Sequence, residues 1–136
     1  MNQYLLDTNI ISELRKVRPH GAVLAWFNAV EEGNLFLSAV TLGELQAGIE
    51  RARQQDPPKA AQFERWVDDL PASYKVLPMD VPCFREWARI MCNKHPDLYE
   101  DAMIAATARV HRLTVATRNE PDFKQLDVRT FNPFKN

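Results

Sequence analysis

Several common features are missing from this chain of 136 residues, and each gap removes a class of protein. Cysteine is scarce, with only Cys83 and Cys92 present. On one continuous helix, which turns about 100° per residue, these two fall on nearly opposite faces. Neither a disulfide nor a shared thiolate metal site is expected, and idle thiols fit a cytoplasmic setting. The three histidines, His20, His95 and His111, have no zinc-like spacing. No apolar run reaches the ~20 residues of a membrane span. An apolar strand begins within a few residues of Met1, which leaves no room for a signal peptide. Excess charge is absent too: 17 Lys and Arg against 18 Asp and Glu give a net charge of −1. Any affinity for a polyanion must therefore come from a local basic patch. No repeat, linker or low-complexity tract divides the chain, so one domain over residues 1–136 is expected. With 46% hydrophobic residues, disorder is excluded and a core can form without staples.

What is present is a series of short apolar runs alternating with helical patterns. Tyr4-Leu5-Leu6 is apolar on both sides, as a strand buried between helix layers should be. Asp7-Thr8-Asn9 supplies capping side chains, and Ile10, Ile11 and Leu14 give a short helical stripe. Val23, Trp26, Phe27 and Val30 predict a second helix, ended by Gly33-Asn34. Leu35 to Val40 reads as a strand, and Thr41 as the cap of the next helix in a Thr-x-x-Glu capping box with Glu44. Asp56-Pro57-Pro58 separates that helix from another marked by Phe63, Trp66, Val67 and Leu70, and the two together form an arm. Val76-Leu77 is a third strand. A helix started by Pro82 and an Ala-rich helix from Leu98 to His111 follow, then strands at Leu113–Thr117 and Val128–Phe131. The order predicts an α/β fold with a mainly parallel sheet.

Four carboxylates stand out against this pattern: Asp7, Glu44, Asp101 and Asp122. Each lies near the end of a strand-like run or in the first turn of a helix. Taken singly, each has a structural explanation. Asp7 can be an N-cap, Glu44 half of its capping box, Asp101 and its neighbour Glu100 first-turn acids facing the helix dipole, and Asp122 a solvated loop acid. Taken together they point elsewhere. Ligands of open α/β sheets bind outside the carboxyl ends of the strands, and acids gathered there need a cation. Oxygen ligands without a His or Cys cage suit Mg²⁺, with Mn²⁺ able to substitute. A first-turn position also favours the ionised form that a metal ligand needs.

The stretch Leu5-Leu6-Asp7-Thr8-Asn9-Ile10-Ile11-Ser12-Glu13-Leu14 resembles the opening of a PIN-domain ribonuclease. Leu37 to Leu45 is similar to that family's second acidic motif, Glu100 to Ala108 to its third, and Ala116 to Phe123 to its fourth. Asn132-Pro133-Phe134 matches a common ending. The motifs span the chain in order and are most similar to VapC toxins of bacterial VapBC toxin–antitoxin pairs, in their FitB-like branch. The resemblance implies a PIN-like three-layer fold and an Mg²⁺-dependent endoribonuclease, with transfer RNA a reasonable substrate. It also implies inhibition by a cognate VapB-like antitoxin, and a homodimer assembling into a larger toxin–antitoxin complex. Carried over by motif, Asp7 and Asp101 are direct Mg²⁺ ligands and Glu44 completes the acidic pocket. Asp122 is the fourth acid, binding a second ion or orienting the attacking water. In some relatives the acid directly follows Thr-Arg, where this chain has Asn119, so either Asp122 or Asn119 completes the site. Attack by water leaves a 3′-hydroxyl and a 5′-phosphate.

Thr8, Asn9, Thr117 and Asn119 are candidates to orient ligands or waters, with local capping the alternative for Thr8 and Asn9. Arg15, Lys16 and Arg18, beside Pro19 and His20, form a basic loop that could grip RNA, extended by Arg51 and Arg53; a solvated loop is the alternative. Two competing readings remain. A phosphoryl-transfer fold of receiver or dehalogenase type wants an acidic pair or Asp-x-Asp after its first strand, where this chain has Asp7-Thr8-Asn9. A catalytically silent RNA- or protein-binding module would be favoured by loss of acids, yet all four candidates are present.

Overall fold

The computed structural model describes residues 2–135. Five short strands form one sheet in the order β3-β2-β1-β4-β5, and every pairing is parallel. They are β1 (Tyr4–Leu6), β2 (Leu35–Ser38), β3 (Lys75–Leu77), β4 (Thr114–Ala116) and β5 (Thr130–Phe131). Parallel strands need crossovers, and among the described residues seven α-helices supply them: α1 (Thr8–Arg15), α2 (Gly21–Ala29), α3 (Ala39–Arg53), α4 (Pro57–Ser73), α5 (Val81–Met91), α6 (Tyr99–His111) and α7 (Glu120–Lys124).

Side chains alternate across each strand, so the sheet separates two cores. Leu6, Leu35 and Leu37 face one side, with Ile10, Ile11, Val23, Trp26, Leu45, Ile49 and Leu70 from the first four helices. Leu5, Leu77 and Val115 face the other, with Ile90, Ile104 and the alanines of α6. Small residues at 102, 105, 106 and 108 let α6 lie close against the sheet. The expected three-layer α/β architecture is what the structure has.

Three local expectations are corrected. The second helix stops at Ala29, and Glu32–Asn34 is a separate 3-10 turn. β2 ends at Ser38, whose hydroxyl caps α3 by accepting from the Val40 N–H at 3.0 Å. Thr41 is therefore buried inside the first turn of α3 and is not its cap. A strand-length stop of four residues suffices because the sheet is only that deep. The third correction is α7, a turn of helix around Pro121 that the sequence pattern did not suggest. Its buried Phe123 anchors it and carries Asp122 out of the loop where it was expected.

Candidate acidic active site

The carboxyl ends of the strands share one rim. Leu6 pairs with Ala116 and Ser38 with Leu77, so the residues that follow emerge side by side. The Asp7 N–H donates to the Ala116 carbonyl and the Thr117 N–H to that of Phe131, both at 2.9 Å, which extends the ladder one step beyond the strands. Asp7 is the N-cap of α1 and only 5% exposed. Its Oδ1 accepts from the Thr8 N–H at 2.8 Å, and its Oδ2 from Thr117 Oγ1 at 2.8 Å and Asn9 Nδ2 at 3.1 Å. All three donors are neutral. Burial raises the Asp7 pKa above the usual carboxylate range, and these hydrogen bonds only partly oppose it.

The other acids come from different elements. Glu44 lies in the second turn of α3, since that helix begins at Ala39. The capping-box explanation for Glu44 is thereby removed. Its carboxyl is pushed up to about 7, first by burial, then by the charges of Glu100 and Asp7, with Asp101 adding to them and the Thr8 hydroxyl pulling the other way. Asp101 sits in the first turn of α6. It is raised to about 6 by burial, then by the charges of Asp7, Asp122 and Glu100. The four predicted acids thus share one electrostatic neighbourhood, although they come from α1, α3, α6 and α7. Glu100 belongs with them electrostatically, beyond its expected part as a first-turn acid facing the helix dipole next to Asp101.

The predicted supporting residues divide. Thr117 is buried and, besides binding Asp7, its Oγ1 accepts from the Asn119 N–H at 2.9 Å. The Asn9 Oδ1 accepts from the Arg118 N–H at 3.3 Å, so one amide ties Asp7 to the loop after β4. Thr8 donates to Thr41 Oγ1 at 3.1 Å, joining α1 to α3. Asn119 is exposed at the N-cap of α7, and its side chain makes no capping bond there. The basic loop also divides. The Arg15 guanidinium stacks over the Phe63 ring, 4.2 Å from its centroid, and Lys16 pairs with Glu13 at 2.9 Å. Arg18 is exposed.

The donor set fits a hard divalent cation: it is all carboxylate oxygen. Among the described residues, no Lys, Arg or His forms an ion pair with Asp7, Glu44, Asp101 or Asp122. Also among the described residues, no three His, Cys, Asp or Glu side chains are already drawn together at metal-binding spacing. The arrangement is an open acidic rim and not a closed cage.

A PIN-domain family model matches residues 4–129. Toxin FitB of Neisseria gonorrhoeae is 35% identical over 136 residues, covering 96% of this chain and 97% of that one. VapC ribonuclease Y4jK of Sinorhizobium fredii is 36% identical over 138 residues, with coverage of 96% and 97%. The crystal structure of FitAcB from Neisseria gonorrhoeae superposes with a TM-score of 0.84 at 34% identity, covering 98% of this chain and all of that one.

Proposed function

The chain belongs to the PIN-domain family, and from that premise we propose that it is a divalent-metal-dependent endoribonuclease serving as the toxin of a VapBC-type pair. Its proposed partner is a VapB-like antitoxin that inhibits it, and its proposed setting is the cytoplasm as a single-domain, homodimeric toxin. The observation that carries the reading is the convergence of Asp7, Glu44, Asp101 and Asp122 on one rim, where burial and mutual repulsion raise Glu44 and Asp101 together. A silent binding module has no use for so unfavourable a cluster.

In this reading Asp7 and Asp101 hold Mg²⁺ or Mn²⁺, Glu44 completes the pocket, and Asp122 contributes from α7. A divalent ion so held would neutralise charge developing on the phosphodiester and acidify an attacking water. The protein's own part is orientation. Asp7 is fixed through both oxygens, and Thr117 holds that geometry from below while Asn9 ties it to the β4 loop. Thr117→Val removes one donor from a buried carboxylate and keeps the side-chain volume. Metal affinity or cleavage should fall about 10–100-fold, as read by Mn²⁺ titration and initial rates.

Labelled RNA, transfer RNA included, tests the whole reading. Incubation with Mg²⁺ or Mn²⁺ should yield fragments with 5′-phosphate and 3′-hydroxyl ends. A chelator should stop the reaction, added metal should restore it, and the cognate antitoxin should suppress it. Cleavage that survives chelation, or a fully active Asp7→Ala protein, would overturn the metal assignment.

A further inference from the structure

A groove of about 420 Å³ runs along α3 from the acids toward Arg51, with Thr8, Ser12 and Phe63 on its walls. Its ends carry opposite charge. Glu44 and Glu100 line one, and Arg51 the other. Glu44, Gly48 and Arg51 lie four and three residues apart, so they share one face of α3. Seven residues span about 10 Å of helix axis, a short step along an RNA strand. Gly48 lies on the floor between them, where a Cβ would make ordinary contact with Phe63 Cε2 at 3.5 Å and Arg51 Nη2 at 3.7 Å.

The other arginines of this region are engaged. Arg53 bonds Glu50 at 3.1 Å and Glu64 at 2.9 Å, and Arg15 is stacked over Phe63. Among the described residues Arg51 enters no ion pair, and it is exposed. A guanidinium offers a fork of donors matched to the two oxygens of a phosphate. We propose that Arg51 binds the phosphate of a nucleotide flanking the scissile bond, making this groove a subsite for the RNA strand with Phe63 as its apolar wall. The assignment rests on the ribonuclease reading above and says which way the strand leaves the acids. It also gives the acidic rim a local cation that draws in a polyanion which the carboxylates alone would repel. The sequence pattern offers Arg15, Lys16 and Arg18 for that task, extended by Arg51 and Arg53; the fold engages Arg15, Lys16 and Arg53 elsewhere and, among the described residues, leaves Arg51 without an ion pair.

The test compares wild type with Arg51→Gln and Arg51→Lys on a single-stranded RNA substrate across a salt series. Arg51→Gln should raise KM about 10-fold with kcat nearly unchanged, the size expected for one charge-assisted phosphate contact. The slope of log(kcat/KM) against log salt should become shallower by about 0.7, the share of one phosphate on a single strand. Arg51→Lys should keep most of the salt slope. Melting temperature and Mn²⁺ affinity should stay close to wild type in both variants, because Arg51 is not among the charges acting on Glu44 or Asp101. Cleavage by wild type with unchanged KM and salt slope in Arg51→Gln overturns the subsite and leaves the ribonuclease reading intact. So does loss of antitoxin affinity with RNA kinetics untouched, which would make the groove a peptide site. A wild-type protein that cleaves no RNA removes both readings together.

Discussion

Asp101→Asn should abolish RNA cleavage and, in the same protein without metal, raise the melting temperature at pH 8. Both halves follow from one carboxylate. Removing a charged metal ligand forfeits several kcal/mol of transition-state stabilisation, which corresponds to a rate loss of roughly 10³-fold or more. The stability effect has the opposite sign. Asp101 is raised from 3.8 to about 6 by burial and by the charges of Asp7, Asp122 and Glu100. At pH 8 it is ionised in the folded and unfolded chain alike, and the fold bears the cost. The shift sets a ceiling of about 3 kcal/mol on that cost. Partial exposure reduces it, and the start of α6 returns about 0.3–1 kcal/mol of helix-dipole stabilisation to the charge. A net gain of about 1 kcal/mol for Asn remains, or about 3–5 °C for a domain of this size. Below pH ~3 the carboxyl is protonated in both states and the gain should vanish. Calorimetry at the two pH values, beside cleavage assays, decides it. An inactive variant that is also less stable at pH 8 would mean Asp101 holds the fold together and is no reserve of repulsion.

That opposition explains why the grouping of acids in the candidate site was legible in the sequence. Acids kept against the interest of the fold, at the ends of strands, stand out from acids that cap or solvate. Asp7 is the instructive case, since it is both: its Oδ1 caps α1 while its Oδ2 is gripped by Thr117 from the neighbouring strand's end. The Thr117 partner could be anticipated only as a candidate, because a contact between residues this far apart in sequence depends on register. Glu44 stands out by its place after an apolar run, and it is the rival local explanation for it that fails. The apolar run through Val40 hid the end of β2 at Ser38, so the Thr41–Glu44 spacing looked like a cap. Strand and helix propensity do not separate Ser38-Ala39-Val40; the depth of the sheet does. Glu100 reads in sequence as no more than a dipole-complementing neighbour of Asp101, and only the approach of α3 to α6 brings its charge to bear on Glu44. α7 escaped because five residues carry too little periodicity to read. A run of basic residues looks uniform in sequence, whereas aromatic faces on α4 single out Arg15.

Affinity for Mn²⁺ should climb steeply from pH 5.5 to pH 8 and then level off. Glu44 is raised to about 7 and Asp101 to about 6, so protons compete with the cation across this range. At pH 5.5 only a minority of Asp101 and very little Glu44 is ionised. If Asp101 alone must lose its proton, affinity should rise about fourfold to its plateau; if both must, the rise should approach 10²-fold. Asp7 is raised by burial as well, so the share of Glu44 in that slope is read by repeating the titration in Glu44→Gln. Metal-free stability should run the other way. An acid whose pKa is raised on folding contributes fully below its unfolded value and loses that contribution as pH rises through the folded value. The metal-free protein should weaken from about pH 4.5 to above pH 7, and saturating cation should reverse the trend, adding about 2.7 kcal/mol at a hundred times its Kd. Thermal melts with and without Mn²⁺ across that range test both curves at once. A cation affinity flat from pH 5.5 to 8 would mean that neither Glu44 nor Asp101 gives up a proton to bind it, and the acidic rim would then be a feature of the surface with no ion to serve.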